Sequence, residues 1–228
     1  MRGVAFERNR GTMKVAKNVL SCLFAVVANV ATVLLSYATD MPYGGIQLWE
    51  GGPYWAECNL GANSPEASGY YFKWGDTTGY KPEGGSWIDD YPNRGCSGVT
   101  WVSSDGGRMN ESPFATSKGK GNSVLDASGS NLSEEYDAAT MNLGKPWRIP
   151  TDAEFEELTR NCRTSWTSRG GVSGLLVTGK GAYAANSIFL PAAGRGDGDW
   201  IHYYRPGNDG YYWASTTYPN SSELACDI

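Results

Sequence analysis

Few side chains in this sequence could do chemistry, and most of them lie in its last third. His202 is the only histidine, set in Trp200-Ile201-His202-Tyr203-Tyr204. A nucleophile needs a base beside it, usually His at neutral pH. No Gly-x-Ser-x-Gly elbow accompanies His202, so we read it as a loop or surface residue. Two carboxylates would suffice for glycoside hydrolysis. Asp76, Glu83, Asp89, Asp90, Asp197 and Asp199 all fall in loop-like sequence, where solvated acids ordinarily sit. No catalytic residue is assigned, and the chain is not read as an enzyme.

Gly194-Arg195-Gly196-Asp197-Gly198-Asp199 contains an Arg-Gly-Asp adhesion tripeptide, which a Gly-rich chain also meets by chance. Asp197 and Asp199 with Asn208 and Asp209 are hard oxygen ligands that could suit calcium, but their spacing is not that of an EF-hand. Glu-Pro-Asn and Trp-Asn-Asp sequences are absent as well. Turn formation is the preferred reading, and no cofactor or metal is assigned.

The aromatic cluster is the better functional candidate. Trp200, Tyr203, Tyr204, Tyr211, Tyr212, Trp213 and Tyr218 are interleaved with Arg205, Asn208, Asp209 and Asn220. Aromatic faces stack on sugars or anchor protein partners, while amides and carboxylates fix orientation. Alternation along a strand sends roughly half of such a run inward, and Tyr212 or Trp213 is the expected core residue. Tyr203, Tyr204, Arg205, Asn208, Asp209 and Tyr218 are the expected exposed contacts.

The elements that must position these residues are legible in part. Ile46, Leu48 and Trp55 are strand-like positions around a Gly51-Gly52-Pro53 turn, and Ser64-Pro65-Glu66 is a turn or helix start. Tyr70 to Gly75 is aromatic and predicts a strand. From Asp76 to about Ser133 the sequence turns to Gly, Ser, Asn, Asp and Pro, which predicts a long loop excursion or partial disorder. Glu134 to Leu143 has helical spacing through Tyr136, Ala139 and Leu143, with Gly144 placed to end it. Trp147-Arg148-Ile149-Pro150 reads as an extended bridge. Thr151-Asp152-Ala153-Glu154 is a capping box opening a helix to about Asn161, with Phe155 and Leu158 inward. Turns follow at Gly170-Gly171 and Gly179-Lys180-Gly181, flanking a β-prone run at Leu175 to Val177. Strands are expected at Ser187 to Pro191 and Tyr211 to Ser215, with a loop from Gly194 to Gly210 between them.

The amino terminus reads as an export signal. Arg2, Arg8, Arg10, Lys14 and Lys17 precede an apolar stretch from Val19 to Leu35, closed by the small-x-small pattern Ser36-Tyr37-Ala38. Residues 1–38 are therefore read as a signal peptide cleaved after Ala38 or as an uncleaved signal anchor, the only membrane contact expected. Export would place the protein in an oxidising compartment. Cys58, Cys96, Cys162 and Cys226 then either form disulfides in one of three pairings or stay as buried thiols.

Composition bounds the rest. Thirty Gly without a collagen repeat demand many turns, and 14 Tyr with 9 Trp suit rigid binding surfaces. A net charge of −5 with no basic stripe gives no support to nucleic-acid binding.

Three groups of motifs carry a family resemblance. The first is Trp55-Ala56-Glu57-Cys58-Asn59-Leu60-Gly61-Ala62 with Ser64-Pro65-Glu66 and Tyr71-Phe72-Lys73-Trp74-Gly75-Asp76-Thr77. The second is Asp137-Ala138-Ala139 leading to Trp147-Arg148-Ile149-Pro150-Thr151 and Glu154. The third joins Asn186-Ser187-Ile188-Phe189-Leu190-Pro191-Ala192-Ala193-Gly194 to Gly210-Tyr211-Tyr212-Trp213-Ala214-Ser215-Thr216. In these the chain resembles the Fibrobacter succinogenes major paralogous domain family of bacterial surface and secreted proteins, related to the formylglycine-generating-enzyme type of C-type-lectin-like fold.

The resemblance spans nearly all of residues 44–228. It implies an irregular, loop-rich α+β domain with two short helices and small antiparallel sheets, whose carboxy-terminal strands and loops carry a variable ligand-binding face. Some relatives are diversified there by retroelements. It further implies a secreted or cell-surface bacterial protein that recognises a glycan or a protein on another surface. The alternatives are a carbohydrate-active enzyme or accessory domain, and a structural cell-envelope protein. The catalysis of the formylglycine-generating relatives needs a reactive cysteine arrangement late in the domain, and Cys226 alone does not supply it. Members of the family usually continue past the Tyr-Tyr-Trp strand to a further closing strand. The resemblance therefore implies that this domain is incomplete at its carboxy terminus, as a fragment or through loss of the gene's end.

Overall fold

The computed structural model describes residues 45–89, 95–109, 124–196, 202–204, 206–217 and 225–227, with only the backbone of 202–204 and 225–227. They belong to one compact unit, Gly45–Ile228. The unit is α+β, loop-rich, with two short helices and small antiparallel sheets.

β1 (Gly45–Gln47) and β2 (Tyr54–Ala56) form the opening hairpin, in the register Ile46 to Trp55. Its turn closes through Gly52 N–H to Trp49 O at 3.2 Å, with Gly51 at φ 75°. The Ser64-Pro65-Glu66 turn is present, with Ala67 N–H donating to Ser64 O.

The strand expected at Tyr70 to Gly75 does not form. Tyr71 makes a single bridge to Tyr80, then Asp76 N–H closes a turn on Lys73 O with Gly75 at φ 76°. Phe72 O accepts the Trp213 indole at 2.9 Å, and Trp74 Nε1 donates to Ala214 O at 2.9 Å. Indole donors hold this segment where a strand would have a backbone ladder.

The long loop excursion expected after Asp76 is corrected too. β3 (Tyr80–Ile88) and β4 (Gly95–Ser103) pair from Tyr80–Ser103 to Ile88–Gly95, and β5 (Arg108–Met109) adds to β4. Glycines 84, 85 and 98 have positive φ inside these strands, and the register runs on through them. In sequence they resemble turn residues. Tyr80, Val99 and Trp101 bury together there, with Tyr71 edge-on to Trp101 at 5.7 Å between centroids. Residues 90–94 and 110–123 lie outside the described residues.

The first helix is shorter than its spacing predicts. A 3₁₀ turn occupies Glu134–Tyr136, and α1 is Ala138–Leu143, capped by Asp137. Asp137 is 3 % exposed, and its two carboxylate oxygens accept from Thr140 N–H at 2.8 Å and Ile149 N–H at 2.9 Å. Ala138, not Ala139, is the buried alanine. α2 (Asp152–Asn161) has the expected capping box, and Phe155 and Leu158 are buried. Arg148 clamps Glu154 with two hydrogen bonds, which fixes the extended bridge against the helix start.

β6 (Arg163–Arg169), β7 (Val172–Thr178) and β8 (Ser187–Pro191) make a three-stranded sheet in that order. The Gly170-Gly171 turn has φ of 55° and 83°, the two-residue form that matches strand twist. Its first strand, Arg-Thr-Ser-Trp-Thr-Ser-Arg, is polar and was not legible as one. The core joins this sheet to α2 and the opening hairpin. Leu48, Trp55, Phe155, Leu158, Cys162, Val177, Ile188 and Ala214 bury together, with the Trp55 and Phe155 rings 5.6 Å apart. Area removed from water by such a cluster is the main favourable term in folding.

Cys58, Cys96 and Cys162 are free thiols. Cys162 is buried, as the thiol reading expected, whereas Cys58 and Cys96 are only half-buried. Burial pushes the Cys162 thiol pKa up, and burial with Glu57 and Glu66 does the same at Cys58.

Candidate functional site

The carboxy-terminal segments sit on a clamp of phenols. β9 (Arg195–Gly196) and β10 (His202–Tyr204) pair antiparallel, and β10 also joins β4, completing a sheet of order β3-β4-β10-β9. β11 (Trp213–Thr217) pairs β12 (Ala225–Asp227). The Tyr71 hydroxyl donates to Ala193 O at 2.6 Å, and the Tyr212 hydroxyl donates to Pro191 O at 2.8 Å. Backbone bonds finish the clamp: Gly194 N–H to Asp209 O and Gly207 N–H to Ala192 O, both 2.7 Å.

These bonds bring Arg195, Asp209 and Tyr211 together. The Arg195 guanidinium lies over the Tyr211 ring, 4.9 Å from its centroid. The Tyr211 hydroxyl donates to Asp209 Oδ2 at 3.4 Å. Arg195 and neighbouring Asn208 are exposed, while Asp209 and Tyr211 are half-buried. A guanidinium stacked on a ring keeps its donor edge in its own plane, free for a carboxylate, a phosphate or sugar hydroxyls. Cation, aromatic and carboxylate thus share one patch, with the exposed Asn208 next to Asp209 in the chain.

Of the expected contacts, Asp209 lies in this patch, and Asn208 is the exposed residue before it. Tyr203 stands opposite Cys96 and Gly196, and Tyr204 opposite Gly95 and Arg195, described by backbone only. Arg205 and Tyr218 lie outside the described residues, as do Asp90, Asp197 and Asp199. Among the described residues no group of three or more His, Cys, Asp or Glu is placed to hold a metal. His202 is on β10, not in a loop.

The strand expected at Tyr211 to Ser215 starts two residues later, because Gly210 bridges Gly194 and Tyr212 turns its phenol to Pro191. Tyr212 packs half-buried against the core, as expected of one of that pair, whereas Trp213 is 39 % exposed. Ala214 fills the fully buried position. Arg195 and Tyr211, which the structure brings together, were not among the expected contacts. The signal for Arg195 was its place opposite Tyr204 in a short hairpin, which the Gly-rich composition hid.

Compared with protein-family models, curated proteins and solved structures, the chain matches none. Among the described residues no helix is long and apolar enough to cross a membrane.

Proposed function

We propose that this is an exported, non-catalytic ligand-binding or adhesion module of the C-type-lectin-like type, kin to the major paralogous domain family. It recognises a glycan or protein through the patch at Arg195, Asn208, Asp209 and Tyr211. The observation that carries the reading is the Arg195–Tyr211–Asp209 cluster on segments clamped by the Tyr71 and Tyr212 hydroxyls. Pre-organised aromatic and charged groups bind with less ordering cost than mobile ones. Support also comes from the export-like residues 1–38 and from the ordered motifs of the resemblance.

The test is a glycan array probed with the full chain, beside Arg195→Ala and Tyr211→Ala variants of unchanged thermal stability. Retention of a glycan class, weakened about tenfold or more by either variant, is the expected result. Hydrolysis of the arrayed sugars would replace the reading with the carbohydrate-active enzyme. Retention indifferent to both variants would move the ligand to another face.

A further inference from the structure

The edge of the three-stranded sheet has a symmetry of its own. β6 reads Arg163-Thr164-Ser165-Trp166-Thr167-Ser168-Arg169, and it reads nearly the same backwards about Trp166. It is the outer strand in the order β6-β7-β8, and all its residues but Thr167 are exposed. Trp166 is 56 % exposed, among the most exposed large apolar residues described.

The hairpin sets which backbone groups face outward. Gly170 and Gly171 form a two-residue turn with both φ positive, so the flanking Arg169 and Val172 close it as a hydrogen-bonded pair. Hydrogen-bonded and non-bonded pairs then alternate, leaving Thr164, Trp166 and Ser168 with N–H and C=O pointing away from β7. Among the described residues no hydrogen bond reaches these groups. An edge of this kind is a template for another strand.

We propose that β6 pairs antiparallel with β6 of a second copy of this chain, with a two-fold axis between the two Trp166 residues. An interface of this symmetry must be complementary to itself, and the outward backbone groups of β6 meet that condition. The outward groups sit at Thr164, Trp166 and Ser168, symmetric about the centre, so each meets an outward group of the copy. Thr164 faces Ser168 of the copy, a favourable hydroxyl pair. Trp166 meets its own counterpart on one face of the joined sheet, which removes both indoles from water.

One pair opposes this register. Arg163 would stand opposite Arg169 of the copy, and like charges facing each other destabilise a sheet. Arg169 is already bound to Glu66, Nε to Oε1 at 3.1 Å, and lies over the Phe189 ring. Arg163 therefore meets an ion pair, with the Glu66 carboxylate available to it. Glu66 is the residue that permits this register.

The experiment is sedimentation velocity on the full chain over a concentration series, with Ser168→Pro, Trp166→Ser and Glu66→Gln beside it. Ser168→Pro removes an outward N–H without touching the β6–β7 ladder, a place where an edge strand tolerates proline. A monomer–dimer equilibrium is expected, its Kd raised about tenfold or more by Ser168→Pro and Trp166→Ser and less by Glu66→Gln. Should a variant fail to fold, amide exchange on the unmodified chain decides. Exchange at Thr164, Trp166 and Ser168 slows as concentration rises if the dimer forms. A monomer at all concentrations, association indifferent to the variants, or exchange independent of concentration each overturns the proposal.

Discussion

The Tyr71 hydroxyl donates to the Ala193 carbonyl at 2.6 Å, tying residues 122 positions apart. The Tyr71 ring also packs edge-on against Trp101, so one side chain joins the β3–β4 cluster to the segment that carries Arg195. Tyr71→Phe keeps the ring and deletes the donor. The expected cost is about 1 kcal/mol of unfolding free energy. Denaturant titration measures it, and amide exchange at Gly194 and Gly207 should quicken in the same variant.

Asp137 caps α1 and holds Ile149 with its other oxygen. Alanine there removes a cap and leaves two N–H groups beside a nearly closed site. A loss of about 3 kcal/mol is expected, the sum of a cap and an unsatisfied buried donor. Asp137→Asn, which keeps one acceptor, should recover part of it. Equal losses for the two variants would show that the second acceptor is what matters.

Glu154 links stability to pH. Burial alone would raise its carboxyl pKa, but the hydrogen bonds from Arg148 and Thr151 more than offset that, and the pKa is lowered from the ordinary 4.5. A lowered folded-state pKa gives stability that is present above the unfolded value and lost as pH falls through the folded one. Stability should therefore decline as pH drops below about 4.5. In Glu154→Gln that decline should be shallower, as thermal melts across pH 3 to 7 would record.

Gly61 and Gly171 separate backbone strain from crowding. Both have positive φ, 76° and 83°. A Cβ at Gly61 would lie 1.9 Å from the Tyr70 ring, whereas at Gly171 nothing lies within 4 Å. Gly171→Ala should cost about 1 kcal/mol, the left-handed penalty alone. Gly61→Ala should cost distinctly more, because the Tyr70 ring, which has Lys81 Nζ 4.5 Å from its centroid, must move. Chemical denaturation of the two variants checks the order.

The sequence by itself determined what is local. The capping box at Thr151, the inward Phe155 and Leu158, the Gly170-Gly171 turn and the buried run Ser187–Pro191 depend on neighbours a few residues away. Their periodicity and turn chemistry are therefore readable in one dimension. Tertiary structure alone decided the rest. Glycines 84, 85 and 98 carry turn chemistry yet lie within a long hairpin, because Val99 and Trp101 bury against Tyr80. Tyr70 to Gly75 has strand composition yet makes no strand, because the indole of Trp213 takes its carbonyl. Arg195 meets Tyr211 only once the Tyr71 and Tyr212 hydroxyls hold the chain just before Arg195, at Ala193 and Pro191. Such placements follow from partners far apart in sequence, and propensity holds no record of them.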